Sequence, residues 1–287
     1  MKLLLRKKLI AMTGKVKSVD FHPSFSWILI GLYNGSLSIY DYNTQASVQY
    51  LEVTSHPIRC AKFMPEKNYI ICGADDKKIR VYNYNTMEKV KEFEAHSDFI
   101  RSIIVHYKEP LFLTSSDDNT INLYDAGHDF KLKRTYDEHK DFVMRLAANP
   151  KDYTMFASGS MDKKIKIWSY NAPNSQMTLE GHAKGIGALA FCPLNDKPYL
   201  ASGADDYSVK IWDYTNKQCV YTLKGHENNL SSLCFHPELP ILISGSEDCT
   251  CKFWNINTAK VEDSRIFGYD CIWDITSYGD DNLIGMG

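Results

Sequence analysis

The segment GADDYSVKIWD, residues 203–213, decides the fold. A small pair, Gly203 and Ala204, precedes two acids, Asp205 and Asp206, and apolar residues then recur at Val209 and Ile211 before the aromatic Trp212. Alternation at period two reads as a half-buried β-strand, and the acid ahead of it is turn chemistry. The same phrase returns as GLYNGSLSIYD (31–41), GADDKKIRVYN (73–83), SSDDNTINLYD (115–125), GSMDKKIKIWS (159–169) and GSEDCTCKFWN (245–255). Its turn residues are Asn34, Asp76, Asp118, Asp162, Asp206 and Asp248, spaced 42, 42, 44, 44 and 42 apart. Six positions after each stands Tyr40, Tyr82, Tyr124, Trp168, Trp212 or Trp254.

A repeat of about 40 to 45 residues is the length of one four-stranded propeller blade. His56, His96, His139, His182 and His226 precede the strand sets at a similar offset. The pattern resembles the WD-repeat signature and predicts an all-β propeller. In such a blade the His ring bonds the turn Asp, while a strand Ser or Thr such as Ser202 and the Trp indole complete a buried relay, each group satisfying another. The histidines and the second acid of each pair therefore read as structural. Six repeats are complete, and CIWDITSYGDDNLIGMG (271–287) reads as the first two strands of a seventh. LLLRKKLIAM, near the N-terminus, is expected to supply the outer strand of that last blade. The expectation is a single domain over 1–287, a seven-bladed ring whose incomplete last blade is closed by the N-terminal strand, forming the N-terminal part of a longer protein.

Bulk properties narrow the function. At 44% hydrophobic and 24% charged, the 287 residues have the composition of a globular domain that buries a sizeable core. A formal charge of −2 provides no overall attraction to nucleic acid or anionic lipid, so an electrostatic partner must be met by a local patch. The eight cysteines include no CxxC pair, which argues against a zinc site or a disulfide framework and for a reducing, cytoplasmic setting. In MKLLLRKKLIAM the apolar run stops at Arg6, short of the ~7 residues that a secretory signal needs. No cofactor, metal site or catalytic residue is expected, because no nucleophile with a paired base, phosphate loop or ligand cluster stands outside the repeats.

Two positions per repeat are predicted to share one rim of the ring. The residue before the turn is Tyr33, Asp75, Asp117, Met161, Asp205 or Glu247. The matching position at the start of the inner strand is Lys17, Arg59, Arg101, Met144, Gly187 or Ser231. Bases gather in the first three repeats, joined by Lys15; acids occupy most of the other position, joined by Asp98. A rim with a cationic and an anionic sector suits a peptide with a free C-terminal carboxylate and basic side chains a few residues upstream. The alternative is that these charges only solvate the rim and pair with one another.

KVKSVDFHPSFSWIL, VTSHPIRCAKF, VYNYNTMEKVKEFEAHSDFIRSI and LPILISGSEDCTCKFWN together resemble the N-terminal WD-repeat propellers of the β′ subunits of the COPI vesicle coat, coatomer, with the paralogous α subunits next. The resemblance implies recognition of dilysine (KKxx or KxKxx) tails of membrane cargo for Golgi-to-endoplasmic-reticulum retrograde transport. It also implies a cytoplasmic protein on Golgi membranes and coated vesicles, touching the membrane only through the assembled coat, with other coatomer subunits, chiefly α, as partners. Carried over by position, the carboxylate-binding cluster is Lys15, Lys17 and Arg59, the lysine-binding acids are Asp98, Asp117 and Asp205, and Tyr33 is a rim tyrosine; Asp75, Arg101 and Glu247 lie in the same sectors. The family usually has Arg where Lys15 stands, and Lys lacks the planar bidentate fork. A scaffold that binds another folded protein through its rim stays open as the alternative. Nucleic-acid binding is disfavoured, because the acids interrupt any continuous basic face.

Overall fold

The computed structural model describes residues 14–194, 196–268, 271–279 and 283–287. Six four-stranded antiparallel sheets follow one another along the chain, each a simple meander whose strands pair in sequence order. These are the blades. Their innermost strands are Val16–Phe21, Ile58–Met64, Ile100–Val105, Val143–Ala148, Ile186–Phe191 and Leu230–Phe235. The last two strands, Ile275–Tyr278 and Leu283–Met286, form a two-stranded sheet of their own. Its inner strand touches the inner strands of both blade 6 and blade 1, so this hairpin sits in the gap between the ends of the ring.

The expectation of seven blades needs correction on this point: six blades are complete, and the predicted closing strand in 1–13 lies outside the described residues. Ile272 and Ile275 pack on Gly245 of blade 6, and Asp274 adds polar links across the ring. Its carboxylate accepts the backbone N–H of Val19 from blade 1 at 3.0 Å and the Ser232 hydroxyl of blade 6 at 3.2 Å, and it pairs with the Arg145 guanidinium of blade 4. One carboxylate thereby ties the hairpin to three blades.

Each turn between the second and third strands is closed by a backbone bond of about one turn's span, such as Lys163 N–H to Ser160 C=O at 3.1 Å. The residue after the turn Asp or Asn must then adopt a left-handed conformation, as Lys77, Asn119, Lys163, Tyr207 and Cys249 do with φ between 67° and 70°. In blade 1 this residue is Gly35, where a Cβ would stand 1.9 Å from the Thr54 carbonyl oxygen.

The core lies between blades rather than within them. The second strand carries a glycine that receives an apolar side chain from the next blade: Gly73 faces Ile100, Gly159 faces Ile186 and Gly203 faces Leu230, with an added Cβ falling within 2.7 Å in each case. Blade 3 has Ser115 at this place, fully buried, and its hydroxyl is left without a hydrogen-bond partner. Among the described residues no helix is long and apolar enough to cross a membrane.

Candidate functional site

Four of the five predicted histidines take their place in the relay. His139 Nδ1 lies 2.7 Å from Asp162, His182 2.9 Å from Asp206, His226 2.7 Å from Asp248 and His96 2.9 Å from Asp118. A carboxylate only accepts, so Nδ1 carries the proton; Nε2 then accepts from Ser158, Ser202, Ser244 or Thr114 at 2.7 Å. In blades 4 to 6 the same serine oxygen accepts the indole N–H of Trp168, Trp212 or Trp254 at 2.7–2.8 Å. Burial alone would raise the acids, but the His rings and local hydroxyl and backbone donors outweigh it and hold Asp162, Asp206 and Asp248 at about 2. Burial lowers His182 and His226 below the ordinary histidine value despite their Asp partners.

Two departures have local causes. His56 is exposed, and its ring approaches only Thr54 and Ser55 at 3.4 Å. His56 stands three residues before Arg59, whereas His96, His139, His182 and His226 stand five before Arg101, Met144, Gly187 and Ser231. Thr54 holds the place five before Arg59 and donates its hydroxyl to Asp76 at 3.0 Å, and the Arg80 guanidinium joins it on that carboxylate at 2.6 Å. In blade 3 Tyr124 does not reach the relay hydroxyl; its O–H donates to the Ala95 carbonyl at 2.9 Å.

The two predicted rim positions coincide with a repeated backbone device. In every blade the strand register slips at one residue of the inner strand, leaving Lys17, Arg59, Arg101, Met144, Gly187 and Ser231 unpaired in the ladder. A bulge of this kind re-aims a side chain at a sheet's end. The pre-turn residue is anchored beside it: Tyr33, Asp75, Asp117, Met161, Asp205 and Glu247 donate their N–H to the carbonyls of Lys15, Pro57, Phe99, Phe142, Gly185 and Asn229 at 2.8–3.1 Å. Every blade thus presents the pair at one rim.

The side chains at these positions divide into three groups. In blades 2 and 3 base and acid neutralise each other. Arg59 grips Asp75 through Nε at 2.5 Å and Nη2 at 2.8 Å, and Arg101 grips Asp117 in the same two-point way, with Nε at 2.6 Å. Both acids are buried, Asp117 at 6% exposure, so neither Asp75 nor Asp117 is the unpaired rim acid that the sequence suggested. Pairing wins there because the bulge and the turn put base and acid on adjacent strands of one blade. Phe99, 37% exposed, stacks with both guanidinium groups 5.8 Å from its ring centre.

Blade 1 has no acid. Lys17 is only 9% exposed and sits over the Trp273 ring of the hairpin, 2.8 Å from its centre, with the half-exposed Tyr33 ring at 5.7 Å. Burial, followed by the nearby Arg59 guanidinium and the Lys15 ammonium, drives the Lys17 ammonium down to about 8, although Cys271 and Glu247 pull the other way. Lys15 is exposed beside it.

Blades 5 and 6 have no base at the bulge. Asp205 and Glu247 form no ion pair among the described residues; Glu247 accepts only the Asn229 amide at 3.2 Å, and burial together with the Glu247 carboxylate pushes Asp205 above the usual carboxylate range. Asp98 is half-buried and receives the Phe99 N–H at 2.8 Å. Trp273 and Phe99 are rim residues that the repeat alignment passed over, since they sit outside its two positions; the aromatic at the end of HSDF was the available signal. Among the described residues no group of His, Cys, Asp and Glu side chains is placed to hold a metal ion.

Comparison with known proteins agrees with this architecture. The WD domain, G-beta repeat pattern matches residues 5–41, 47–83, 87–125, 130–169, 173–213 and 217–255. Over all 287 residues the chain is 52% identical to coatomer subunit beta' of Rattus norvegicus, covering 32% of that protein. It is 51% identical to coatomer subunit beta' of Drosophila melanogaster, covering 31%, and 46% identical to a probable coatomer subunit beta' of Schizosaccharomyces pombe, covering 36%. The chain therefore spans about a third of the length of these curated relatives.

Proposed function

We propose, from the premise that this chain belongs to the WD domain, G-beta repeat family and is similar along its whole length to coatomer subunit beta', that it is a cargo-recognising propeller of a COPI vesicle coat subunit. Its ligand is the C-terminal dilysine tail, KKxx or KxKxx, of membrane proteins returned from the Golgi to the endoplasmic reticulum. Other coatomer subunits, chiefly α, are its neighbours in the coat on the cytosolic face, and in the longer protein the hairpin at 271–287 is completed to a seventh blade.

One observation carries this reading: cations gather on the first blades at Lys15 and Lys17, beside an Arg59 already held by Asp75, while Asp205 and Glu247 on blades 5 and 6 lack any ion-pair partner among the described residues. Lys17 is lowered first by burial and then by the like charges of Arg59 and Lys15, so an anion beside it offsets both. The terminal carboxylate docks on exposed Lys15 and on the N–H groups of Arg59 that Asp75 leaves unused, with Lys17 behind them. The ligand ammonium groups dock on Asp98 and on the Asp205–Glu247 pair. Asp117 serves less as a direct partner, because an incoming ammonium there competes with Arg101. Recognition is an equilibrium without bond chemistry. Charge-assisted bonds of about 1.5–3 kcal/mol each, offset by ordering a flexible tail, lead to an affinity on the order of micromolar, which suits a coat where many copies act together.

Fluorescence polarisation with a labelled KxKxx tail tests this. The free carboxylate form should bind and its C-terminal amide should lose most of its affinity; equal binding of the two would remove the carboxylate clamp.

A further inference from the structure

Blades 3 and 4 share a lead-in element, HSDF at 96–99 and HKDF at 139–142. The two are built alike. Phe99 and Phe142 N–H each bond the preceding Asp side chain at 2.8 Å, and the Asp98 and Asp141 carbonyls accept from Ser116 and Ser160 at 3.1 and 2.9 Å. The Phe rings are exposed by 37% and 41%. What stands behind them differs. Blade 3 has the Arg101–Asp117 ion pair, whereas blade 4 has Met144 at the bulge and Met161 before the turn, so Asp141 faces a rim position with no base and forms no ion pair among the described residues.

We infer that Asp141, Phe142, Met144 and Met161 form a lysine-side-chain subsite, taking a further basic residue upstream of the dilysine pair in the same cargo tail. This rests on the function proposed above. The occupant follows from chemistry. A lysine combines a stem of methylenes with a terminal cation, and such side chains bury the stem on apolar surface while the charge reaches a polar edge. Phe142 and two flexible thioethers provide that surface, and the Asp141 carboxylate provides the edge. Behind Asp98 of blade 3 stands the Arg101–Asp117 ion pair, whereas behind Asp141 stand two thioethers, so the apolar stem of a further lysine is better met on blade 4.

Position on the ring supports the assignment. At the pre-turn position the acids of blades 3, 5 and 6 are interrupted by Met161; Asp141 in the lead-in loop fills that gap, so carboxylates stand on four consecutive blades at Asp98, Asp141, Asp205 and Glu247. In blade 5 Lys184 stands at the place of Asp141 and Gly185 at the place of Phe142, where a Cβ would come within 2.4 Å of the Met161 sulfur. Glycine lets Met161 lie across toward blade 5, so the apolar surface runs on in the direction of Asp205.

The test uses the whole chain and free-carboxylate tails in fluorescence polarisation: a short KxKxx tail, the same tail with one lysine placed at successive upstream positions, and the best of these with norleucine replacing that lysine. At one position the extra lysine should tighten binding by about fivefold, near the upper end for an exposed ion pair. Norleucine should lose most of the gain. Asp141→Asn, which keeps an acceptor for the Phe142 N–H, should return the longer tail to short-tail affinity while leaving the short tail unchanged, with an unaltered melting temperature as the folding control. A gain that is absent at every position, or that survives Asp141→Asn, would overturn the subsite alone. Failure of the short tail itself to bind would overturn the dilysine reading and the subsite with it.

Discussion

Two serines in equivalent strands, both fully buried, should respond in opposite directions to the same substitution. Ser202 in blade 5 accepts the Trp212 indole N–H at 2.7 Å and donates to His182 Nε2 at 2.7 Å. Ser202→Ala removes one oxygen and strands both partners in a buried place. Each orphaned group costs about 1–3 kcal/mol, so the loss should be about 3 kcal/mol in all. Ser115 in blade 3 occupies the place that is Gly203 in blade 5, and its hydroxyl has no partner. Ser115→Ala deletes an oxygen whose desolvation nothing compensates, and keeps the Cβ that the site already holds, so stability should rise by about 1 kcal/mol. For a chain of this size the melting temperature moves by about 2–4 °C per kcal/mol, a fall of ~6–12 °C against a rise of ~2–4 °C. Urea unfolding should show the same order through the midpoint with an unchanged slope, since neither change alters the surface exposed on unfolding. The reasoning is refuted if both variants shift the same way, or if Ser202→Ala costs less than about 1 kcal/mol.

Three further outcomes follow from the relay and the closure. His139→Ala should cost about 2 kcal/mol by stranding Asp162 and Ser158, while His56→Ala, at an exposed ring outside the relay, should stay within ~0.5 kcal/mol in the same unfolding assay. His182 and His226 are held neutral in the fold with lowered pKa, so the unfolded chain binds the additional protons: stability is full above the ordinary histidine value of 6.5 and should fall as pH drops below it, with a second loss between about 3.8 and 2 as Asp162, Asp206 and Asp248 protonate, measurable as urea midpoints against pH. Asp274→Ala strands Arg145 and frees the Val19 N–H, so it should cost about 3 kcal/mol and speed hydrogen exchange in 271–287 beyond that in blades 2 to 5.

Much of this molecule is written locally in its chain. The period, the turn acids, the buried aromatics and the two rim positions are each fixed within one repeat, because a blade is a meander whose strands pair with their sequence neighbours. Even the exception at His56 is legible as a histidine two positions late in its lead-in, with Thr54 at the place the others give to histidine. The charge state of the rim is not legible in this way. That Arg59 and Arg101 close on Asp75 and Asp117 depends on a bulge turning one side chain toward a turn sixteen residues on, and that Lys17 lies over Trp273 depends on a hairpin 256 residues away. Asp274 joining blades 1, 4 and 6 is likewise a product of ring closure. Repeat periodicity reports strand order within a blade; which acid remains free for a ligand is decided by where the bulge turns its neighbour's side chain, and the burial of Lys17 and the anchoring of Asp274 by contacts made once the ring has brought distant blades together.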